Sequence, residues 1–140
     1  MANVLYPLWK DSVMTELDAN NSLDQIGVNA PYLAVVTLGV GGYTYSDSHQ
    51  YFSSVSGTPA PPVALNNNIL VSNIFKADTA VFINVTGTSI GGLIIYRHNS
   101  GASSTWRLVL YEDTGITGFP MVPNGGNLLI TWNTQGIFAL

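Results

Sequence analysis

The sequence contains no cysteine, which excludes disulfide bonds, thiolate metal sites, iron–sulfur ligation and a cysteine nucleophile. Charge is also scarce, because 4 basic and 8 acidic residues make up 9% of 140 residues and leave a net charge of −4; an average domain has about 25%. Neutralising a nucleic-acid backbone requires several Lys or Arg residues, so we expect no nucleic-acid partner.

Long apolar runs are missing as well. No run in the sequence approaches the ~20 apolar residues that span a bilayer. Asp11, Glu16 and Asp18 stand where an export signal would need an apolar stretch. The sequence therefore predicts a protein that is made in the cytoplasm and has no membrane partner.

The first 26 residues differ in pattern from the rest. Their large apolar residues roughly follow a helical stripe: Leu5, Leu8, Trp9, Val13 and Leu17. Asp11 and Ser12 are suited to start a helix, and Asn20 and Asn21 to end one. We predict a short N-terminal helical arm over residues 1–26 that packs on the main body.

Residues 27–140 read as a single β domain. The chain is long enough for one ordinary domain and not comfortably for two. Short β-rich runs, separated by Gly and Pro, are predicted at 32–38, 69–75, 80–86, 91–98, 105–111, 127–132 and 137–140. About seven such strands with regular turn residues favour an antiparallel β-sandwich.

A long connection interrupts the strand pattern at residues 53–68. It contains Gly57 and the proline residues Pro59, Pro61 and Pro62. A loop of about 15 residues is longer than is usual inside a compact domain. It is therefore the best candidate for a segment that reaches a neighbouring molecule.

Catalytic patterns are weak. Asp47, Ser48 and His49 are consecutive, whereas a hydrolase triad is assembled in space from separate parts of a chain. Glu112 and Asp113 are better interpreted as a solvated turn than as a glycosidase pair. Two histidines are too few for a three-histidine zinc site. We predict a non-enzymatic protein without a metal or cofactor.

Charged side chains in the second half are expected to pair with each other. Arg97 and Arg107 fall on neighbouring predicted strands, and Glu112 and Asp113 follow soon after in the sequence. An internal ion pairing of these groups is the favoured interpretation.

The stretch from residue 89 to residue 140 resembles a known family. Two apolar strands end in tyrosine at Tyr96 and Tyr111, and a Gly-Phe-Pro linker follows. After it come residues 122–126 (Val-Pro-Asn-Gly-Gly), residues 128–132 (Leu-Leu-Ile-Thr-Trp) and an Ile-Phe-Ala-Leu ending. The pattern is similar to small structural proteins of tailed bacteriophages. The opening Leu5-Tyr6, the Val35-Val36 strand and the 45–51 segment also fit.

The resemblance implies a capsid decoration, or cement, protein with a β-sandwich or jelly-roll body. Such proteins commonly sit as trimers on the outside of the assembled head, where they bridge major capsid protein subunits. The implied partners are therefore the major capsid protein and two further copies of this chain. The implied location is the exterior of the virion, after synthesis in the host bacterial cytoplasm.

Two sets of residues are the predicted partner contacts: Leu5, Tyr6 and Trp9 at the N-terminus, and Pro59, Pro61 and Pro62 in the loop. We expect deletion of residues 1–9 to abolish head binding and to leave the fold intact. This chain departs from the family in its very low charge and in the distinctive segment 58–62, and both affect how it would dock.

Two other functions remain open at this point. The chain could be a virion component of the neck, tail or baseplate. It could also be a carbohydrate-binding module on a host-contacting fibre, because 7 Tyr and 3 Trp residues are enough to build a sugar platform. Exposed coplanar aromatic rings near a loop would favour the second alternative.

Overall fold

The computed structural model describes residues 3–10, 23 and 26–139. This part of the chain forms an all-β fold of three antiparallel sheets, as predicted. Its strands are β1 (Val4–Leu5), β2 (Pro31–Val36), β3 (Val63–Ala64), β4 (Ile69–Val71), β5 (Ile74–Lys76), β6 (Ala80–Phe82), β7 (Gly92–Arg97), β8 (Arg107–Glu112), β9 (Leu128–Ile130) and β10 (Phe138–Ala139). Short 3-10 turns lie at Gly27–Asn29, Phe52–Ser54 and Ser103–Thr105.

The largest sheet has the strand order β1-β8-β7-β2-β3. β2 pairs with β7 along six residues, and all six residues of β7 are buried. The smaller sheets, β10-β5-β4 and β6-β9, contribute Phe75, Phe82 and Ile130 to the same apolar core. One core thus lies between the large sheet and the two small ones, which is the sandwich that the strand pattern predicts.

The N-terminal residues belong to this large sheet. β1 pairs with β8, and the Tyr6 amide donates to the Val109 carbonyl at 2.9 Å. Residues 7–10 then form a helical turn. The remainder of the predicted helix, residues 11–22, lies outside the described residues.

Burial changes the role of the predicted N-terminal contacts. Tyr6 is 0% exposed and Trp9 is 3% exposed, while Leu5 is half-buried against the core. Trp9 meets Phe138 edge-to-face, with ring centroids 5.9 Å apart. The interpretation of Tyr6 and Trp9 as partner contacts is therefore wrong for this structure, because both side chains fill the core. β1 covers the edge of β8 and so cannot act as a free arm.

The β7–β8 hairpin contains a β-bulge. Ile95 faces Leu110 but Tyr96 faces Leu108, so Val109 has no partner residue on β7. The shift places Arg97 directly opposite Arg107. Because β8 then runs five residues from Arg107 to Glu112, about 16 Å at 3.3 Å per residue, the arginines and the acidic pair lie at opposite ends of the hairpin. The predicted pairing between them is wrong.

Residues 69–76 form two strands where one was predicted. Ser72 and Asn73 both have positive φ angles, 51° and 67°. Two consecutive left-handed residues are what a two-residue hairpin turn requires, and Asn accepts that conformation more readily than most residues. The chain therefore reverses here, and β4 becomes the outer strand of the β10-β5-β4 sheet.

The next predicted strand, at 80–86, is shorter than expected. Asn84 adopts a φ of 51°, which breaks the alternation of side chains between the two faces. Val81 and Ile83 are exposed, whereas Val85 is 2% exposed and lies in the core. These three residues therefore do not share one face.

Candidate interaction surface

The β4 edge is the first exposed apolar surface. Ile69, Leu70 and Val71 are 47%, 49% and 53% exposed. Successive residues of a strand point to opposite faces, so half exposure of all three means that both faces of β4 are partly open to solvent. Within the described part of the chain, β4 pairs only with β5, and its outer backbone groups are available to another strand.

The outer face of the β6–β9 ribbon is the second exposed apolar surface. Val81 and Leu129 stand directly opposite each other, and both are exposed. On the inner face of the same ribbon, Ala80, Phe82 and Ile130 are buried. A cross-strand Val–Leu pair that faces solvent is unusual in a two-stranded ribbon, where one polar face is expected.

The predicted proline contacts lie in a segment that is fastened to the body. Pro61 is exposed, and Pro59 and Pro62 are partly buried. The Gly57 carbonyl accepts from the Thr37 amide at 2.8 Å, and Ala60 is buried in the core. Pro61 is therefore accessible, and Pro59 and Pro62 partly so, on a segment that is held against the body.

A glycine-rich turn beside that segment carries a fully exposed apolar side chain. Val40 projects from the turn that begins at Gly39, where the Gly42 amide donates to the Gly39 carbonyl at 2.9 Å. The Ser56 hydroxyl donates to the Gly42 carbonyl at 2.9 Å. The turn and the proline segment therefore hold each other in place.

A stack of aromatic rings lies at the loop end of the β7–β8 hairpin. Tyr32 stacks on His98 with centroids 4.3 Å apart, and His98 lies 4.2 Å from the Trp106 ring. Trp106 also stacks on Tyr96, which stacks in turn on Phe52. Because a sugar stacks on a free ring face, and these rings use their faces on one another, this cluster is a poor sugar platform.

The 47–49 cluster divides its side chains among separate hydrogen bonds. The Tyr45 hydroxyl donates to Asp47 at 2.6 Å, the Ser48 and Ser46 hydroxyls are 2.9 Å apart, and His49 Nδ1 lies 2.8 Å from the Tyr43 hydroxyl. A nucleophile, a base and an orienting acid do not come together in this arrangement.

Tyr43 links His49 to the core. Its hydroxyl lies 2.7 Å from the buried Tyr6 hydroxyl, and this chain of three groups satisfies polar atoms beneath β1. Burial raises the pKa of the Tyr6 hydroxyl and of the Tyr43 hydroxyl above their ordinary range. The two tyrosine hydroxyls therefore keep their protons at physiological pH, and the role of the network is structural.

Neither a metal centre nor a known relative defines a site. Within residues 3–10, 23 and 26–139, no group of three or more His, Asp or Glu residues is placed to hold a metal ion. In the same residues, no helix is long and apolar enough to cross a membrane. The chain matches no protein-family model, and a search of curated proteins finds no relative.

Proposed function

We propose that this protein is a non-enzymatic decoration protein of a tailed-bacteriophage head. In this role it binds the outer surface of the assembled shell as a homotrimer and bridges major capsid protein subunits. The choice of a capsid as the partner rests on the resemblance of residues 89–140 to that family. The contact mode rests on the surfaces described above.

The exposed apolar edge of β4 is the observation that carries the proposal. A strand whose three side chains and outer backbone groups are all accessible is usually shielded by charge, proline or a covering element. Here the three residues are Ile69, Leu70 and Val71, and no charge interrupts them. Such an edge is suited to add to a sheet of a partner molecule, where main-chain hydrogen bonds supply affinity.

Low charge is suited to the same role. The interior of a lasting protein interface is depleted in charged residues and enriched in apolar and aromatic ones. With charged residues at 9% of the chain, contacts to the shell consist mainly of apolar packing and neutral hydrogen bonds. Binding should therefore persist at about 1 M salt, where the Debye length falls to about 3 Å.

Trimeric binding would strengthen individually weak contacts. Once one subunit is bound, the two others are held near their own sites at high effective concentration. A short edge such as β4 offers three residues per subunit, so three edges acting together give a durable attachment that one edge does not. Dissociation then requires all the contacts to open.

The number of copies per particle tests the proposal. Quantitative mass spectrometry of purified virions should give a ratio to the major capsid protein near one or a simple fraction of it. A few copies per particle would contradict decoration of the shell and move the protein to the neck, tail or baseplate. Absence from virions would overturn any virion role.

A further inference from the structure

A cavity of about 550 Å³ opens at the end of β8, on the side of the β6–β9 ribbon. Its wall is formed by Glu112 and Leu93 at the end of the β7–β8 hairpin, by residues 115–117, by residues 129–133 and by residues 136–137. Three parts of the chain, Leu93, residues 112–117 and residues 129–137, thus converge on one concave site. This volume lies within the range of small-molecule sites in proteins.

Glu112 provides the only ionisable side chain among the described residues that line this cavity. It is partly buried, and burial raises the pKa of its carboxyl. No residue in the described part of the chain donates a hydrogen bond or an ion pair to that carboxylate. Among the described residues, this carboxylate at the cavity therefore has no counter-ion.

The basic residues of the protein lie elsewhere. Lys10, Arg97 and Arg107 do not line the cavity. Lys76 lines a second cavity of about 260 Å³, which shares the Trp132 wall with the first. Because no Lys or Arg of the described residues lines this cavity, a cation from outside can take the position beside the carboxylate.

Most of the accessible wall is polar, with Thr117, Thr131 and Asn133 among its residues, and a smaller apolar part is suited to a short hydrocarbon stem. Ile116 and Ile137 provide aliphatic surface, and Trp132 provides an indole ring. The indole N–H donates to the Asp78 carbonyl at 3.1 Å, so the ring is held in place and its own polar group is already satisfied. Aromatic rings attract ammonium groups through their electron-rich faces.

We propose that this cavity binds an alkylammonium group, with Glu112 as its counter-ion and the Trp132 and aliphatic wall around its stem. Burial of Glu112 without a partner is costly in the free protein, and a bound ammonium removes that cost through a charge-assisted hydrogen bond. The site is separate from the β4 edge, so it does not depend on the proposed capsid role.

A titration of the full chain with n-pentylamine tests this site. NMR chemical shifts of the residues that line the cavity report the binding. The neutral analogue 1-pentanol is the matched ligand, and E112Q is the matched variant because it removes charge with little change in shape. A hydrogen bond to a charged group contributes about 1.5–3 kcal/mol, so we expect E112Q to weaken pentylamine binding at least tenfold.

The Asp47→Asn variant removes one exposed carboxylate away from the cavity and should bind pentylamine as the unchanged protein does. Equal binding of pentylamine to the unchanged protein and to E112Q would overturn the proposal. Binding of 1-pentanol as tight as that of pentylamine, or no shift at the lining residues, would overturn it as well. Circular dichroism of each variant verifies that the fold is retained.

Discussion

Gly57 lies against Gly42 at a separation that leaves no room for a side chain. A Cβ atom at Gly57 would stand 2.5 Å from the Gly42 Cα, and the residue also has a φ of +68°. Both the backbone conformation and the close approach require glycine at this position. This contact joins the proline segment to the turn that carries Val40.

Gly57→Ala should lower the free energy of unfolding by about 2 kcal/mol or more. A left-handed conformation costs a residue with a side chain about 1–2 kcal/mol, and the clash with Gly42 adds to it. Gly41→Ala is the control, because Gly41 has a φ of +80° but nothing within 4 Å of a Cβ. Urea unfolding measures both variants, and equal losses would show that the close approach contributes nothing.

Replacing Glu112 by Gln should stabilise the folded protein to an extent that depends on pH. Because burial raises its pKa in the folded protein, ionisation favours the unfolded chain as pH rises above the usual value of 4.5 and through the raised value. Glu112→Gln removes this effect. At pH 7 the variant should therefore have the higher melting temperature.

At a pH well below 4.5 both side chains are neutral, and the difference in melting temperature between the Glu112→Gln variant and the unchanged protein should disappear. Thermal unfolding at several pH values provides the measurement. A variant that is less stable at pH 7 would mean that the carboxylate makes favourable contacts on balance.

At the scale of the element, the β4–β5 hairpin combines a demanding turn with an unprotected edge. The Ser72–Asn73 turn sets the register, in which Leu70 faces Phe75. Phe75 is fully buried while Leu70 is half exposed. β5 is thereby tied into the core, and β4 extends beyond it as the outer strand.

Val71→Lys should reduce binding to purified phage heads with little change in stability. Val71 is 53% exposed, and substitutions at such positions usually change stability by less than about 0.5 kcal/mol. A lysine on an edge strand discourages pairing with another strand. Co-sedimentation with heads provides the measurement. Ser104→Lys, which adds the same charge at an exposed loop position, should bind normally.

If Val71→Lys occupies heads as fully as the unchanged protein, β4 is not the contact surface. If Ser104→Lys is also lost from heads, added charge alone impairs binding. In either case the capsid role would have to rest on another surface, of which the Val81–Leu129 face is the next to test.

At the scale of the whole molecule, the N-terminal residues connect distant parts of the fold. β1 lies on β8, and Trp9 contacts Phe138 in β10. The Asn3 side chain accepts from the amides of Asp113 and Thr114 at 3.0 and 3.1 Å. The start of the chain thus closes one edge of the large sheet and joins it to the C-terminal strand.

Deletion of residues 1–9 should therefore unfold the protein or leave it without a cooperative thermal transition. Loss of one buried Trp side chain costs about 3–5 kcal/mol, and Tyr6 is removed with it, against a total stability of about 5–15 kcal/mol. Near-UV circular dichroism and thermal unfolding measure the effect. A truncated protein that melts like the full chain would instead agree with the sequence-based expectation that this deletion leaves the fold intact.

Periodicity alone determined the fold class and most strand positions. Runs such as 32–36 and 92–97 are apolar on both faces, which identifies buried central strands wherever their partners lie. The Gly and Pro punctuation located several of the loops between them, but β3 at Val63–Ala64 lies inside the loop predicted at 53–68. These features depend on residues close together in sequence, so they can be read without the structure.

Only the tertiary structure determined which strands pair and which side chains are buried, because both depend on residues that are distant in sequence. A stripe of large apolar residues at the N-terminus fits a helix as well as a strand beside β8, and the free edge of β8 selects the strand for Val4 and Leu5. The Glu112 cavity is assembled from three parts of the chain that are distant from one another in sequence. Composition and pattern thus determined that a sandwich forms, whereas pairing across the chain decided which apolar residues fill its core and which remain on its surface.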